Sequence, residues 1–349
     1  MSDATLPLLS EPLVVDADQA VLDEAATAVD GAAEHVDITP LDHPRRLLLV
    51  HAHPDDETIG TGATMARYAA EGALVTLVTC TLGEEGEVIP PELAHLGADR
   101  DDSLGAWRRE ELRAAMSVLG VAHSVLGEDP DQGVASRYRD SGMAGTPSQE
   151  HRDAFVRADP VEAAAMVAAQ IRAIRPDVVV TYDAQGGYGH PDHVQTHRMT
   201  MLALSSLAEA DHVDLPALYC ILTPKSWATQ DRAWLRENVV VNEDEASTGS
   251  ACMVLDRDAP YPPSVVSDET VTHVVEEYAL VDIQSQALAQ HATQVSLYDG
   301  YYALSNQIAV RLSGREGFAQ FDYLRGERVA ASPGASRRTS LLTERQGRG

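Results

Sequence analysis

The sequence predicts an α/β fold: a Rossmann-like, mostly parallel sheet flanked by helices, with a smaller C-terminal α+β cap. Between residues 45 and 225, short runs rich in Val, Leu and Ile alternate with segments of helical period, which is the pattern of parallel βαβ units. Beyond residue 225 this alternation weakens. We therefore interpret residues 45–225 as a Rossmann-like domain and residues 226–330 as a cap region that completes it.

The predicted elements follow in chain order. In the Rossmann-like part, strands are expected at Arg46–His51, Leu74–Thr79, Val121–Leu126, Val178–Tyr182 and Leu218–Leu222. Helices are expected at Thr58–Glu71, Leu104–Leu119, Val161–Ile174 and from Pro191 to about Leu207. Residues 127–158 lack any period and are predicted to be a long functional loop. In the cap, the predicted elements are strands at Val271–Val275 and Phe318–Tyr323 and helices at Ala279–Val295 and Ala303–Leu312.

The two ends of the chain differ from the rest in composition. Residues 1–44 are acidic and rich in Ala and Asp, and residues 331–349 are rich in Ser, Arg and Gly. Segments of this kind bury too little apolar surface to offset the entropy lost on ordering. We therefore predict a disordered N-terminal extension and a flexible C-terminal tail.

Composition also narrows the class of partner. The chain of 349 residues has a formal net charge of −28, which argues against nucleic acid or an anionic membrane surface as the main partner. No apolar run approaches the ~18 residues of a membrane span, and no secretory signal pattern is visible. The three cysteines, Cys80, Cys220 and Cys252, show no disulfide or metal spacing, so a reducing, cytoplasmic location is expected.

Ionisable side chains follow the first predicted strand directly. His51, His53, Asp55, Asp56 and Glu57 occur within seven positions. Burying such groups costs free energy unless they are paired, hydrogen-bonded or bound to a metal. Open α/β sheets bind their ligands at the carboxyl ends of strands, where this segment is expected to lie. The segment is therefore a candidate site.

A second segment of the same kind follows the predicted strand Val178–Tyr182. It runs from residue 183 to residue 193 and carries Tyr188, His190, Asp192 and His193. Neighbouring parallel strands end at the same rim of a sheet, so we expect the two segments to meet. Imidazole and carboxylate groups are the usual ligands of a catalytic divalent metal. The sequence thus predicts a metal centre suited to hydrolysis.

The residue types alone leave the ligand set open. Asp55 and Asp56 point about 100° apart at a helix start, so one is expected to bind the metal and the other to act as general base. His193 and His197 would share a helix face, as pairs of zinc ligands do, although a packed helix residue is the plainer interpretation of His197. His190 is compatible with a ligand, an acid or a helix cap.

Three further residues have open interpretations. Asp192 would either orient His190 or cap the helix that begins at Pro191. His51 is expected to be a satisfied core histidine more than a partner of a metal ligand. The segment around His291 is expected to make a structural contact near the site.

Several motifs resemble one known family. They are VHAHPDDE (50–57), TCTLGEEGEV (79–88), RDSGMAGT (139–146), RPDVVVTYDAQGGYGHPDH (175–193) and the His291 segment within Ala289–Gln294. The set resembles the de-N-acetylase superfamily of phosphatidylinositol-glycan and LmbE-like deacetylases, over roughly residues 45–325. Within it, TLGEEGEV and RDSGMAGT resemble the mycothiol-pathway deacetylases of N-acetylglucosaminyl-inositol more than the mycothiol S-conjugate amidases.

The resemblance implies the metal ligands and the base. His53, Asp56 and His193 would hold one Zn²⁺ per subunit, and Asp55 would be the general base. The same set of two histidines and one carboxylate also suits Fe²⁺.

The resemblance implies further roles on the substrate side. His190 would stabilise the charge of the tetrahedral state, and Tyr188 would polarise the carbonyl and assist as an acid. Arg108, Asp140 and Met143 match positions that contact the substrate.

The function expected from the resemblance is zinc-dependent removal of acetate from a small glycosyl-inositol. The alternatives are hydrolysis of a mycothiol S-conjugate or of another N-acetyl sugar. A non-hydrolytic Rossmann-type binding protein is a third possibility, but it would require a G-x-G-x-x-G motif that HAHPDDETIGTG does not contain.

Overall fold

The structure, a computed structural model, describes residues 44–211, 215–239, 252–330 and 336–342. The strands of the first half are β1 (Arg46–His51), β2 (Leu74–Thr79), β3 (Ala122–Val125), β4 (Val178–Thr181) and β5 (Ala217–Pro224). Those that follow are β6 (Val265–Val266), β7 (His273–Glu276), β8 (Ser296–Tyr298), β9 (Tyr301–Ala303), β10 (Ala309–Arg311), β11 (Arg315–Asp322) and β12 (Glu327–Arg328).

The described α-helices alternate with these strands. They are α1 (Asp56–Ala70), α2 (Leu104–Leu119), α3 (Pro160–Ile174), α4 (Gly186–Gly189), α5 (Pro191–Asp211), α6 (Lys225–Asn238) and α7 (Val281–Leu288). Short 3₁₀ turns lie at Pro91–Leu96, Pro130–Gln132, Pro147–Glu150, Phe155–Arg157, Asp268–Thr270 and Tyr278–Leu280. Within the described ranges, none of the helices has the length and apolar character needed to cross a membrane.

One mixed sheet forms the centre of the fold. Seven strands follow the order β12-β11-β5-β4-β1-β2-β3, and β6 and β7 pair with β5 and β11. The five strands from β3 to β5 run parallel, whereas β11 is antiparallel to β5. A smaller antiparallel sheet, β10-β9-β8, lies in the C-terminal region. The predicted α/β fold is confirmed, but β7, β11 and β12 extend the central sheet instead of packing beside it.

Strand β1 lies in the middle of the sheet and is buried on both faces. Leu47 and Leu49 pack into an apolar cluster with helices α1 and α2, while Leu48 and Val50 pack with α3 and α5 on the other face. All four side chains are fully buried. This explains why the strand has a continuous apolar run and no alternation, as expected for a central parallel strand.

Helix α1 is interrupted near its start. Thr61 has φ −146° and ψ 15°, outside the helical region. The carboxylate of Glu316 on β11 accepts the N–H groups of Ala63 and Thr64, each at 2.8 Å, beyond this break. Glu316 therefore caps the second part of α1, and the turn from Asp56 to the break is a separate short unit.

The predicted helix Ala303–Leu312 is wrong. Strands β9 and β10 occupy this stretch and pair as a hairpin. Between them, Asn306 Oδ1 accepts the N–H of Ile308, and Gln307 adopts φ 59°. The apolar spacing fits a helix as well as a hairpin, and the turn at Asn306 decides between them.

The predicted helix Ala279–Val295 is shorter than expected, because α7 ends at Leu288. The chain then turns, and Thr293 donates its N–H and its hydroxyl to Glu111 on α2, at 2.9 and 2.7 Å. These contacts hold the segment after α7 against α2.

The predicted N-terminal extension, residues 1–44, lies outside the described residues except for Pro44. Part of the predicted tail, residues 336–342, is packed. The backbone of Arg338 exchanges hydrogen bonds with Thr272 and Val274 at 2.9 and 2.8 Å, and Leu341 is fully buried. This part of the tail therefore belongs to the folded unit.

Candidate active site

The two polar segments meet at one rim of the sheet, as predicted. They follow β1 and β4, which are neighbouring parallel strands. The ring of His53 from the first segment lies 5.3 Å from that of His193 and 4.6 Å from that of His190, between centroids. The topology therefore brings together side chains that are about 140 residues apart in sequence, as the carboxyl ends of parallel strands do.

Asp56 lies between two imidazoles. Its Oδ2 is 3.1 Å from Nδ1 of His53 and 3.1 Å from Nε2 of His193. Nε2 of His193 is buried, and among the described residues it has no partner with hydrogen-bond geometry, the 3.1 Å contact with Asp56 included. A buried polar atom without a partner requires an explanation, and a divalent cation shared with the carboxylate and the second imidazole supplies one. The donor set therefore fits a metal.

The second nitrogen of His53 is held by carboxylates. Its Nε2 is 3.2 Å from Asp192 Oδ2 and 3.4 Å from Asp140 Oδ1. Asp192 Oδ2 also accepts the N–H of Ser141 at 2.9 Å. A carboxylate behind an imidazole fixes its tautomer, which leaves Nδ1 of His53 free to face Asp56. The side chain of Asp192 therefore orients His53, whereas the sequence led us to expect that it would orient His190 or cap a helix.

His190 is a neutral imidazole in this arrangement. The backbone N–H of Asp192 donates to His190 Nδ1 at 3.2 Å, so that nitrogen is an acceptor. Burial, together with the neighbouring His53 and His193, lowers the pKa of His190 to about 3. The remaining ring proton lies on Nε2, where it can be donated to a bound group.

Asp55 is held in an unusual backbone conformation. Its φ of 115° and ψ of −36° lie in a region that residues other than glycine rarely adopt. Its N–H donates to Glu57 Oε2 at 3.0 Å, and its Oδ2 accepts from Arg108 Nη2 at 3.1 Å. Burial raises the pKa of Asp55 to about 7, against the opposing effect of the Arg108 charge. A carboxyl group with a pKa near neutrality is suited to proton transfer.

Tyr188 lies at the open side of the site. Its side chain is 53% exposed, and its ring centroid is 5.1 Å from that of His193. The flanking Gly187 and Gly189 have φ of 71° and 97°, which favours glycine at both positions. Partial desolvation raises the pKa of Tyr188, so its hydroxyl keeps its proton and can donate a hydrogen bond.

The three predicted substrate contacts differ in exposure. Met143 is 51% exposed, while Arg108 and Asp140 are 3% and 4% exposed. Besides its contact with Asp55, Arg108 donates to the carbonyl of Gly83 at 2.8 Å. The guanidinium of Arg108 thus orders the first polar segment against the loop that carries Gly83.

Comparisons with known proteins identify relatives of this chain. The profile of PIG-L: GlcNAc-PI de-N-acetylase matches residues 48–204. A protein from Thermobifida fusca (strain YX), named 1D-myo-inositol 2-acetamido-2-deoxy-alpha-D-glucopyranoside deacetylase, is 48% identical over 78% of this chain and 92% of its own length. A protein of the same name from Streptomyces scabiei (strain 87.22) is 45% identical over 82% of this chain and 87% of its own length. The chain belongs to the PIG-L de-N-acetylase family.

Solved structures similar to this PIG-L family member have lower sequence identity. A conserved protein from Thermus thermophilus is 21% identical, with a TM-score of 0.40 over 71% of this chain and 78% of its own. The N,N'-diacetylchitobiose deacetylase from Pyrococcus horikoshii is 17% identical, with a TM-score of 0.42 over 71% of this chain and 70% of its own.

Tyr182 is a site residue that the sequence reasoning missed. Its ring stacks on His193 at 4.1 Å between centroids and 15° between planes, and its hydroxyl accepts the N–H of Ala52 at 2.9 Å. Tyr182 therefore connects the two segments. As the last residue of a predicted strand, it carried no signal beyond its position next to the second segment.

Two other histidines, one in the first segment and one in the helix after the second, are structural. His51 is fully buried, with Nδ1 3.3 Å from the Tyr182 hydroxyl and Nε2 3.1 Å from Thr61 Oγ1, and burial lowers its pKa to about 4. His197 Nδ1 bonds to the carbonyl of Tyr182 at 2.9 Å, and its ring packs on Phe321. His51 is thus a satisfied core histidine and His197 a packed helix residue, as we expected from the sequence.

Proposed function

We propose that this PIG-L family member removes the N-acetyl group from 1-D-myo-inositol 2-acetamido-2-deoxy-alpha-D-glucopyranoside, giving the free amine and acetate, as a step of mycothiol biosynthesis. The observation that carries the proposal is Asp56 placed between His53 and His193, with Asp55 beside it. Relatives that are 45% and 48% identical and named for this deacetylation support the choice of substrate.

His53, Asp56 and His193 would hold one divalent cation, either Zn²⁺ or Fe²⁺. The ligand atoms of His190 also lie within 4.8 Å of those of His53 and His193. We favour Asp56 as the third ligand because its Oδ2 is 3.1 Å from both imidazole nitrogens and because it brings a negative charge. When bound, the cation supplies Lewis-acid activation of water and of the amide carbonyl.

Asp55 would act as the general base. It is buried next to the proposed ligand Asp56, and Arg108 fixes its carboxylate at 3.1 Å. In this role Asp55 takes one proton from the attacking water and then returns it to the departing amine. His190 is neutral and accepts a backbone hydrogen bond at Nδ1, so we assign the return of the proton to Asp55.

Tyr188 and His190 would donate hydrogen bonds to the oxyanion that develops on the acetamide oxygen. Tyr188 keeps its phenolic proton because its pKa is raised, and the neutral ring of His190 carries its one proton on Nε2 because Nδ1 accepts the N–H of Asp192. One preorganised donor of this kind commonly stabilises the transition state by about 3–4 kcal/mol. Met143, exposed at the rim, would contact the substrate, and the buried Arg108 and Asp140 would shape the site around it.

The test is release of free amine from N-acetylglucosaminyl-inositol. The purified protein is stripped with a chelator and reloaded with Zn²⁺ or Fe²⁺, and a mycothiol S-conjugate is assayed in parallel. We expect activity that is lost on stripping, restored by metal and higher on the acetylated sugar. Exclusive cleavage of the S-conjugate would contradict the proposed substrate, and full activity in the stripped protein would contradict the proposed metal.

A further inference from the structure

We infer that Glu57 and His291 are positioning residues, which hold the strained backbone of Asp55 so that its carboxylate meets the reacting water. The inference rests on the proposed function, in which Asp55 is the general base. It assigns a task to two buried residues that the chemistry of the metal centre does not use.

The backbone conformation of Asp55 requires support from the residues around it. Its φ of 115° is far from the regions that L residues prefer. Such conformations persist only where the surroundings over-determine them. Two supports are the contact of Arg108 with its carboxylate and the hydrogen bond from Ile59 N–H to its carbonyl at 2.9 Å. The third is the hydrogen bond from its N–H to Glu57 Oε2 at 3.0 Å.

Glu57 is itself fixed on its other oxygen. Its Oε1 accepts the hydroxyl of Thr58 at 2.6 Å and Nε2–H of His291 at 3.0 Å. The side chains of Glu57 and His291 are both fully buried. A carboxylate at such a depth costs free energy unless it is paired and hydrogen-bonded. His291 is therefore the hydrogen-bond donor that keeps Glu57 where it holds the Asp55 amide.

The position of His291 is set from a distant part of the chain. It follows α7 and lies 234 residues after Glu57 in sequence. Thr293, two residues later, is anchored on Glu111 of α2 by two hydrogen bonds. The other ring nitrogen of His291, Nδ1, has no hydrogen-bond partner in the part of the chain that the structure describes. Among the described residues, the ring of His291 therefore hydrogen-bonds to Glu57 alone.

The geometry separates this pair from metal binding. Glu57 bonds to the amide of Asp55, whereas the carboxylate of Asp56 faces His53 and His193. Loss of the pair is therefore expected to displace the base while leaving the metal ligands in place. A displacement of about 1 Å in a catalytic group can lower turnover by about 10²-fold.

The experiment compares two substitutions at one position. In His291→Gln, the amide nitrogen replaces Nε2 and can still donate to Glu57; in His291→Asn, the amide nitrogen reaches only the position of Nδ1, which has no partner among the described residues. The control is His273→Asn, since His273 is 3% exposed and bonds to Tyr219, away from the two polar segments. All variants are loaded with Zn²⁺ and assayed on N-acetylglucosaminyl-inositol.

We expect His291→Asn to lower kcat by about 10²-fold with KM and bound zinc unchanged, and His291→Gln to recover most of kcat. His273→Asn is expected to lower Tm without a comparable fall in kcat. Equal kcat for the Asn and Gln variants, or loss of zinc from His291→Asn, would overturn the inference. Asp55→Asn is run beside them: if it keeps normal turnover, then the proposed base has failed and not the positioning pair.

Discussion

The two polar segments of the site differ in exposure, because the second carries the half-exposed Tyr188 beside the buried His193. In the first, His53 and Asp55 are almost fully buried and their positions are fixed by Asp192 and Arg108. In the second, Tyr188 is half exposed and lies between glycines with positive φ. Groups that hold a cation or a proton require a fixed, dry setting, whereas a group that meets an incoming substrate must stay accessible. The predictions below test this contrast, from the largest expected effect to the smallest.

The largest effect is expected at the first polar segment, which is the more buried of the two. His53→Ala removes a proposed ligand whose Nδ1 is 3.1 Å from Asp56 Oδ2. Loss of an outer partner alone typically weakens metal binding by about 10–100-fold, so loss of the ligand should exceed about 100-fold. Zinc affinity measured by competition with a chromophoric chelator checks this. Unchanged affinity would show that the cation binds elsewhere.

Asp55→Asn is expected to separate proton transfer from metal binding. The substitution keeps the side-chain size but removes the base, so kcat should fall by about 10²–10⁴-fold. Zinc content should stay at the level of the unmodified protein, because Asp55 faces Arg108 and not the two imidazoles. Amine release and metal analysis on the same sample provide the test. A loss of zinc would contradict the assignment of Asp55 as a base that does not bind the metal.

In the second polar segment, Tyr188→Phe removes the hydroxyl group that is a proposed oxyanion donor and keeps the aromatic ring. We expect kcat to fall by about 10²-fold, with KM, zinc content and Tm nearly unchanged. The half-exposed ring explains why stability should not change. A large rise in KM with normal kcat would instead show that Tyr188 binds the ground state.

Gly186 and Gly187 of the second polar segment provide a matched pair of substitution sites. A Cβ at Gly186 would lie 2.7 Å from the backbone nitrogen of Val194 and 2.8 Å from Cβ of His193, whereas a Cβ at Gly187 would meet no atom of the described residues within 4 Å. Both glycines have positive φ, so both alanine variants carry backbone strain. Gly186→Ala alone should displace His193 and weaken zinc binding, by about 10–100-fold. Equal zinc affinities for the two variants would refute this.

The smallest effect concerns stability and pH. Burial raises the pKa of Glu316 to about 7 from an ordinary value of 4.5, against the hydrogen bonds that it accepts. The unfolded chain then releases this proton at lower pH than the folded protein. Stability should fall as pH rises from 4.5 to 7 and stay level above, by about 3 kcal/mol at most. Denaturant unfolding of Glu316→Gln should lack this contribution, while Glu110→Gln, whose side chain is exposed, should keep it.

How much the sequence could predict depends on the range of the contacts. The run before His51 and the strand before Asp183 are local patterns, and the rule that parallel strands end at one rim was enough to bring His53 and His193 together. The contacts of Glu316 with α1 and of His291 with Glu57 join residues more than 230 positions apart in sequence. A local sequence pattern therefore cannot predict them. The helix predicted at Ala303–Leu312 failed for a related reason, since apolar spacing cannot distinguish a helix from a hairpin without the turn.

The break in α1 has a consequence for protein engineering. Residue 225, where the alternating pattern ends, is an obvious place to truncate the gene and express a minimal catalytic fragment. Such a fragment would lack β11 and with it Glu316, whose carboxylate holds the N–H groups of Ala63 and Thr64. The helix that carries Asp56 would lose its internal cap, and β5 would lose β11 while keeping β4 as its neighbour. In a chimera of two relatives, α1 and β11 should therefore come from the same parent, and the junctions should lie in surface loops.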